Sequence, residues 1–282
     1  MRLGEFGVWT TYRAIGEEHA GEAAKLVEDL GFGTFWLGGS PQLPALWPLL
    51  ESTERIVVAT GILNVWASDP ERVASDFAEL EARFPGRVLL GIGIGHPEAT
   101  SQYSRPMAAM QAFLDALDAA SAPVPRSRRC LAALGPKMLR LSAERSLGAH
   151  SYFVPVGHTR AARETLGETA ILAPELACVV DEDLESARAK ARTYASLYLG
   201  LRNYTNNLLN HGFAEQDIAD GGSDRLIDAI IPHGGAEEIA AAARRHLSAG
   251  ADHVCLQTVG VDGIPRSEWA AVASALGTLH RA

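Results

Sequence analysis

The chain has 282 residues, 47% hydrophobic and 21% charged, with a formal net charge of −9. That much apolar surface supplies a folded core and excludes intrinsic disorder. The acidic balance argues against a nucleic-acid surface, which needs clustered Lys and Arg to neutralise phosphates. Cys130, Cys178 and Cys255 all fall in predicted strands with no metal-ligand spacing between them, so they read as buried thiols of a reducing compartment. No apolar run reaches the roughly 18 residues of a membrane span, and the first strand begins almost at the N-terminus. A cytoplasmic protein with no metal, no membrane and no nucleic-acid partner is expected.

Strand and helix alternate along the chain. The strands expected are Phe6 to Trp9, Thr34 to Gly38, Val57 to Leu63, Val88 to Ile94, Arg129 to Leu134, His150 to Val154, Glu175 to Val180 and His253 to Val259. Several are almost unbroken apolar runs, as strands buried on both faces should be. Between them lie helical faces such as Ala20, Ala23, Ala24 and Val27, or Val73, Phe77, Leu80 and Phe84, the latter opened by Asp69-Pro70. Another is Leu184, Ala187, Ala191, Tyr194 and Tyr198. Glycines at Leu30-Gly31-Phe32, Leu147-Gly148-Ala149-His150 and Ala249-Gly250-Ala251-Asp252 read as helix closures before a strand. Eight βα units in one chain of this size predict a single α/β domain over residues 1–282, a closed (β/α)8 TIM barrel. An open doubly wound sheet is the alternative and would need fewer units. Residues 203–228 interrupt the repeat with short helical pieces before the last strand, and are expected to cap the barrel mouth.

In a (β/α)8 barrel function sits where strands end. Gly91-x-Gly93-x-Gly95 puts three glycines on one side of a strand, either to relieve crowding inside the barrel or to admit a flat ligand. It lacks the helix and acidic residue of a dinucleotide fingerprint. Leu134-Gly135-Pro136-Lys137-Met138 lies between a strand and a proline-started helix, with Arg140 one turn on. Free amides and cations there suit a phosphate, although an ordinary βα turn reads the same way. His96 follows the fourth strand and can hydrogen-bond a ligand, act as acid or base, or simply be solvated. His158 and His211 are weaker candidates, and His150 and His253 are placed at strand starts, the wrong end for chemistry. Trp9, Trp36, Trp66 and Tyr103 map toward the mouth, and Asn203, Tyr204, Asn206 and Asn207 cluster in the capping segment. These aromatics and amides either pack and cap helices or meet a planar substrate. With no Ser-His-Asp set, nucleophile elbow or carboxylate pair at neighbouring strand ends, a hydrolase is unsupported.

Taken in order, the segments FGVW, LGFGTFWLGG, VATGILNVWASDP, GRVLLGIGIGHPE, LAALGPKMLRLS, GAHSYFVP, NYTNNLL, ADGGSDRL and AGADHVCLQ resemble the luciferase-like monooxygenase superfamily, in particular its actinobacterial coenzyme F420-dependent oxidoreductase branch. The resemblance implies a flavin or deazaflavin in the mouth of the barrel. It places a non-prolyl cis peptide at Gly61-Ile62 behind the ring, Asn64 at the ring edge, Gly95 and His96 in the loop touching the ring, and Ala133, Leu134, Gly135 and Pro136, with Lys137, around the phosphate. Trp9, Trp66, Tyr103, Tyr204 and Asn207 are the substrate-side candidates. His96 and Asn64 are the catalytic ones, His96 as acid or base beside hydride transfer to or from a small organic substrate. Sugar-phosphate dehydrogenases of the superfamily carry a His after strand two and a Glu after strand four. This chain has Gly38-Gly39 and His96 there, a departure that speaks against sugar-phosphate oxidation. Two other readings stand beside the F420 oxidoreductase: an FMN-dependent monooxygenase and a non-catalytic F420-binding protein. A homodimer is expected by the same resemblance.

Overall fold

A computed structural model describes residues 1–96, 98 and 103–279. Its parallel sheet runs through β1 (Phe6–Thr10), β2 (Thr34–Leu37), β3 (Val57–Thr60), β4 (Leu63–Asn64), β5 (Val88–Gly93), β6 (Arg129–Ala132), β7 (Gly148–His150), β8 (Ile171–Leu172), β9 (Glu175–Val180), β10 (His233–Gly234) and β11 (Val254–Thr258). Neighbours follow the order β10-β9-β11-β1-β2-β3-β5-β6-β7-β8, with β4 also on β5. β8 and β9 form one bent run on either side of Pro174. Along one side of it, Ile171 N and Ala173 N donate to the carbonyls of Leu147 and Ala149, and Glu175 N donates to Ser151. Along the other side, Asp252 N donates to Leu172 O, Cys255 N to Pro174 O and Val259 N to Cys178 O. The sheet therefore closes on itself, and the expected (β/α)8 barrel is the fold.

Alternation sorts the strand side chains into two layers. Val8, Phe35, Leu37, Val58, Val88, Leu90, Ile92, Leu131, Leu176 and Leu256 face outward into the main core with the helices. Trp36, Val57, Ala59, Leu89, Cys130 and Cys255 fill the barrel interior. Trp36 is fully buried, stacks on His150 (centroids 4.5 Å, 13° between planes) and donates its Nε1–H toward Thr34 Oγ1 (3.1 Å) and His253 Nε2 (3.2 Å). The three cysteines are free and buried, and burial pushes the Cys130 and Cys178 thiols up to about 12, which leaves them inert.

The helix faces form as the periodicity requires. Asp69 Oδ1 accepts from Arg72 N (2.9 Å) to cap the helix Pro70–Arg83, which buries Val73, Phe77 and Leu80. Leu184 is a correction: it opens the helix Leu184–Ser196 but is 60% exposed, and the buried stripe there is Ala187, Ala191 and Ala195. Two strands also differ from the predicted ones. The predicted Val57 to Leu63 strand divides into β3 and β4, which pair separately with β5, and the peptide between Gly61 and Ile62 is cis, as the resemblance implies. The predicted sixth strand starts two residues earlier. Ser146 leaves its helix fully extended (φ −148°, ψ −178°), and Gly148 is the first residue of β7, where a Cβ would overlap the backbone of Ile171. His150 consequently ends its strand at the mouth instead of beginning it. β8 and β10, of two residues each, are too short for any period to betray them.

Residues 203–228 fall within the helices Arg202–Asn210, Glu215–Ile218 and Asp224–Ile230 and the turns between them. Leu208, Phe213, Leu226 and Ile227 build a second small core against Val179, Ala187, Ala191 and Ala195. Among the described residues no helix is long and apolar enough to cross a membrane.

His150, His158, His246 and His253 are all buried, and desolvation pushes each down to about 4. The unfolded chain would protonate them near 6.5, so their contribution to stability is complete above that pH and is lost as pH falls toward 4. Glu175, pushed up to about 8 by burial, acts oppositely, because the folded chain already holds its proton. The imbalance between pH 6.5 and 5 leaves the unfolded state binding more protons, at about 1.4 kcal/mol per proton per pH unit. Urea midpoints should therefore fall from pH 7 to pH 5; a flat or rising midpoint would contradict the assignment.

Candidate active site

A cavity of about 390 Å³ opens at the C-terminal mouth of the barrel, where strand ends and the capping helices meet. That lies within the range of roughly 300–1,000 Å³ usual for small-molecule sites. Gly61, Ile62 and Asn64 of the β3–β4 break form one wall, Gly95, His96 and Tyr103 another, Ala132 to Gly135 a third, and Asn203 and Tyr204 reach in from the cap. Trp9 lies among them, packed on Tyr152 at 5.3 Å between centroids.

Each position has a local cause. Asn64 Oδ1 accepts from Trp66 N (3.0 Å), which turns the chain into a short 3-10 turn and holds the amide at the rim. Gly95 takes a positive φ of 59°, bending the chain out of β5 and presenting His96. His96 Nδ1 lies 3.0 Å from Asn203 Oδ1, and its ring rests 5.0 Å from that of Tyr204. The three-glycine run resolves into two jobs. A Cβ on Gly91 would sit on the Thr60 carbonyl oxygen and one on Gly93 would meet Ile62 Cδ1 at 2.5 Å, so these two relieve crowding, while Gly95 lines the cavity.

At the far end Gly135 caps the helix Pro136–Arg145 without a side chain, leaving the first amides of that helix uncapped. A Cβ on Gly135 would have nothing within 4 Å, so the space beside it is open. His158 donates from Nε2 to Leu134 O (2.9 Å) and pins this loop. Its burial and its pKa of about 4 make it a neutral anchor, not an acid or base.

Among the sequence candidates, Trp9, Gly61, Ile62, Asn64, Gly95, His96, Tyr103, Ala133, Leu134, Gly135 and Tyr204 all line the one cavity. Pro136 and Lys137 start the adjacent helix, with Lys137 exposed. Trp66 stands behind the wall, donating to Ile94 O (2.8 Å) and packing on Tyr103, and Asn207 is buried within the cap. Ile94, His150, Tyr152 and Tyr198 also line the cavity and were not anticipated. A strand start set two residues too late hid His150. Tyr198 was read only as part of a helical face, and nothing in its spacing marks a hydroxyl turned inward. Tyr152 and Tyr194 both donate to Gln257 Oε1 (2.8 and 2.9 Å), and the Tyr198 hydroxyl lies 2.9 Å from that of Tyr152. Among the described residues lining the cavity there is no Lys, Arg, Asp or Glu.

Residues 2–122 match the family model of the luciferase-like monooxygenases. That stretch, less than half of the chain, is similar in sequence to the luciferase-like monooxygenases. An F420-dependent glucose-6-phosphate dehydrogenase of Microbacterium testaceum (strain StLB037) is 29% identical over 124 residues, 36% of this chain and 37% of that protein, so the match spans little more than a third of the relative's length. Solved structures share the fold over nearly the whole length of the chain. An F420-dependent secondary alcohol dehydrogenase in complex with an F420-acetone adduct superposes with TM-score 0.76 at 15% identity, covering 99% of this chain and 100% of that one. The coenzyme F420-dependent tetrahydromethanopterin reductase of Methanopyrus kandleri gives 0.72 at 15%, with 98% of each chain covered. The FMN-bound oxygenating constituent of 3,6-diketocamphane monooxygenase from Pseudomonas putida gives 0.71 at 14%, covering 98% and 96%.

The glycines separate fold from site in a measurable way. Gly91→Ala should destabilise the chain by about 1–3 kcal/mol, because its methyl group has to displace a strand carbonyl. Gly135→Ala, in an extended conformation beside open space, should leave the urea midpoint unchanged; equal effects at both positions would refute the distinction.

Proposed function

We propose that this chain is a coenzyme F420-dependent oxidoreductase acting on a small, uncharged organic substrate. The reading is supported chiefly by the convergence of Gly61-Ile62, Asn64, Gly95-His96 and Ala133–Gly135 on one cavity with an uncapped helix start at its end. These residues fit the group. A planar ring needs a wall without side-chain bulk, and Gly61 and Gly95 offer bare backbone there. A phosphate needs free amides and room, which the helix start and the space beside Gly135 provide. The partial curated relative and two of the structural neighbours use F420, which favours the deazaflavin over FMN.

When bound, a deazaflavin supplies a two-electron hydride carrier. The chain's own residues have other tasks. Gly61 and Ile62 back the ring, Asn64 and Gly95 flank its edge, and Ala133 to Gly135 with Pro136 and Lys137 hold the phosphate end. His96 takes or returns the substrate proton as hydride moves. Tyr103 and Tyr204 close the substrate side with aromatic surface, excluding water. Among the described residues the substrate side, lined by Tyr103 and Tyr204, offers no cation to pair with a substrate phosphate, which speaks against a sugar phosphate, in keeping with Gly38-Gly39 after β2.

Titrating the purified protein with F420 and with FMN, followed by tryptophan fluorescence, tests the cofactor. Trp9 at the cavity wall should report saturable quenching by F420 in preference to FMN. Preference for FMN would turn the assignment to a monooxygenase, and silence with both would remove it. For the chemistry, His96→Gln should lower turnover of a neutral alcohol or carbonyl substrate by about 10²–10⁴-fold with little change in F420 affinity. An unchanged rate would take His96 out of the mechanism.

A further inference from the structure

The β5 loop is tied to the cap by the first turn of the helix Arg202–Asn210. His96 Nδ1 meets Asn203 Oδ1 at 3.0 Å, and Arg202 N lies 3.4 Å from Glu98 Oε1. The first of these contacts carries chemical information. The side-chain oxygen of an asparagine has lone pairs and no hydrogen, so a bond between it and an imidazole nitrogen requires the proton to be on the imidazole. Whenever the His96 ring carries one proton, that proton is then on Nδ1, and Nε2 is the bare nitrogen. Both residues line the cavity, and the Tyr204 ring beside His96 restricts how the imidazole can turn.

We propose that Asn203 is a positioning residue that fixes His96 in its Nδ1–H tautomer, so that the Nε2 lone pair is the one offered to the ligand as proton acceptor. The inference deepens the reading of His96 as acid or base and rests on that reading for its use in turnover. The tautomer itself is a property of the protein without cofactor. In the oxidation of an alcohol, Nε2 would accept the hydroxyl proton; a deazaflavin held at this site would supply the two-electron hydride acceptor, and the product would be the carbonyl compound. In the reverse direction Nε2–H returns that proton. An Nε2–H tautomer at the outset could only donate, and would leave the forward step without its acceptor. Asn203 therefore sets which nitrogen works, although it lies in a segment separated from His96 by more than a hundred residues.

The test is the 15N signature of the His96 imidazole in the cofactor-free protein labelled at histidine, with the His96→Gln spectrum identifying which resonances belong to His96. The native protein should show a pyrrole-type Nδ1 and a pyridine-type Nε2. Asn203→Leu, which keeps the volume and removes the oxygen, should invert that pattern toward the Nε2–H tautomer that free histidine prefers. Asn203→Asp, which keeps an oxygen acceptor, should retain the native pattern. A native Nε2–H, or an Asn203→Leu spectrum indistinguishable from native in a folded protein, would overturn the inference. Because the spectra are recorded without cofactor, their outcome is independent of whether His96→Gln slows turnover, so failure of the tautomer and failure of the catalytic role are distinguished.

Discussion

Closure of the barrel depends on one bent run, Ile171 to Val180, which bonds β7 on one side and β11 on the other. Pro174 stands at the bend. It has no N–H to offer a neighbouring strand, but its carbonyl accepts from Cys255 N, so the ladder continues through it with a change of direction. Beyond the bend the pairing changes again, as Val179 N and Asp181 N turn to the carbonyls of Pro232 and Gly234. A sheet that failed to close here would expose two edges. It would also lose the ring of strand ends that brings Gly61, His96 and Gly135, far apart in the chain, onto one cavity.

Filling the closed interior imposes the next constraint. Most large aliphatics go outward to the helices, while inside the barrel the space is taken by Trp36, Val57, Leu89, smaller residues and polar groups that must find partners. Trp36, Thr34 and His253 satisfy one another at the lower end, with His253 Nδ1 on Gly4 O. Glu175 is fully enclosed, with one oxygen accepting from Phe153 N and the other without a partner, and burial keeps it protonated at neutral pH. Protonated, Glu175 adds no charge to the barrel interior at neutral pH. The cavity's described walls include Trp, Tyr, Asn and bare glycine backbone, and the helix start after Gly135, followed by Lys137, stands at one end.

The cap contributes a different kind of control. Its small core of Leu208, Phe213, Leu226 and Ile227 anchors it on the helix Leu184–Ser196, and from there Asn203 and Tyr204 extend over the mouth. The same helix sends Tyr194 toward Tyr152 and Gln257, with Tyr198 just beyond its end, so cap and barrel share one hydroxyl network. Any shift of the cap moves both that network and the partner of His96. The orientation of His96 is therefore coupled to the packing of this segment through Asn203 and the Tyr204 ring.

Much of this was legible in the chain. Apolar runs, helix faces at 3.6-residue spacing and a capping Asp69-Pro70 are local signals, so the alternation of strands and helices and the loops after Thr60, Gly93 and Ala132 follow from residues within a few positions of each other. What the sequence by itself determined is the repeat, the barrel and the set of loops at its mouth. Only the tertiary structure decided that His150 faces the cavity, that Trp66 and Asn207 stand behind its wall, that Gly91 and Gly93 serve packing while Gly95 serves the site, and that Asn203 holds His96. The reason is the range of the interactions. Periodicity and capping act within one or two turns, whereas a ring stacked across a barrel, or an amide bonded to an imidazole 107 residues away, exists only after the sheet has closed.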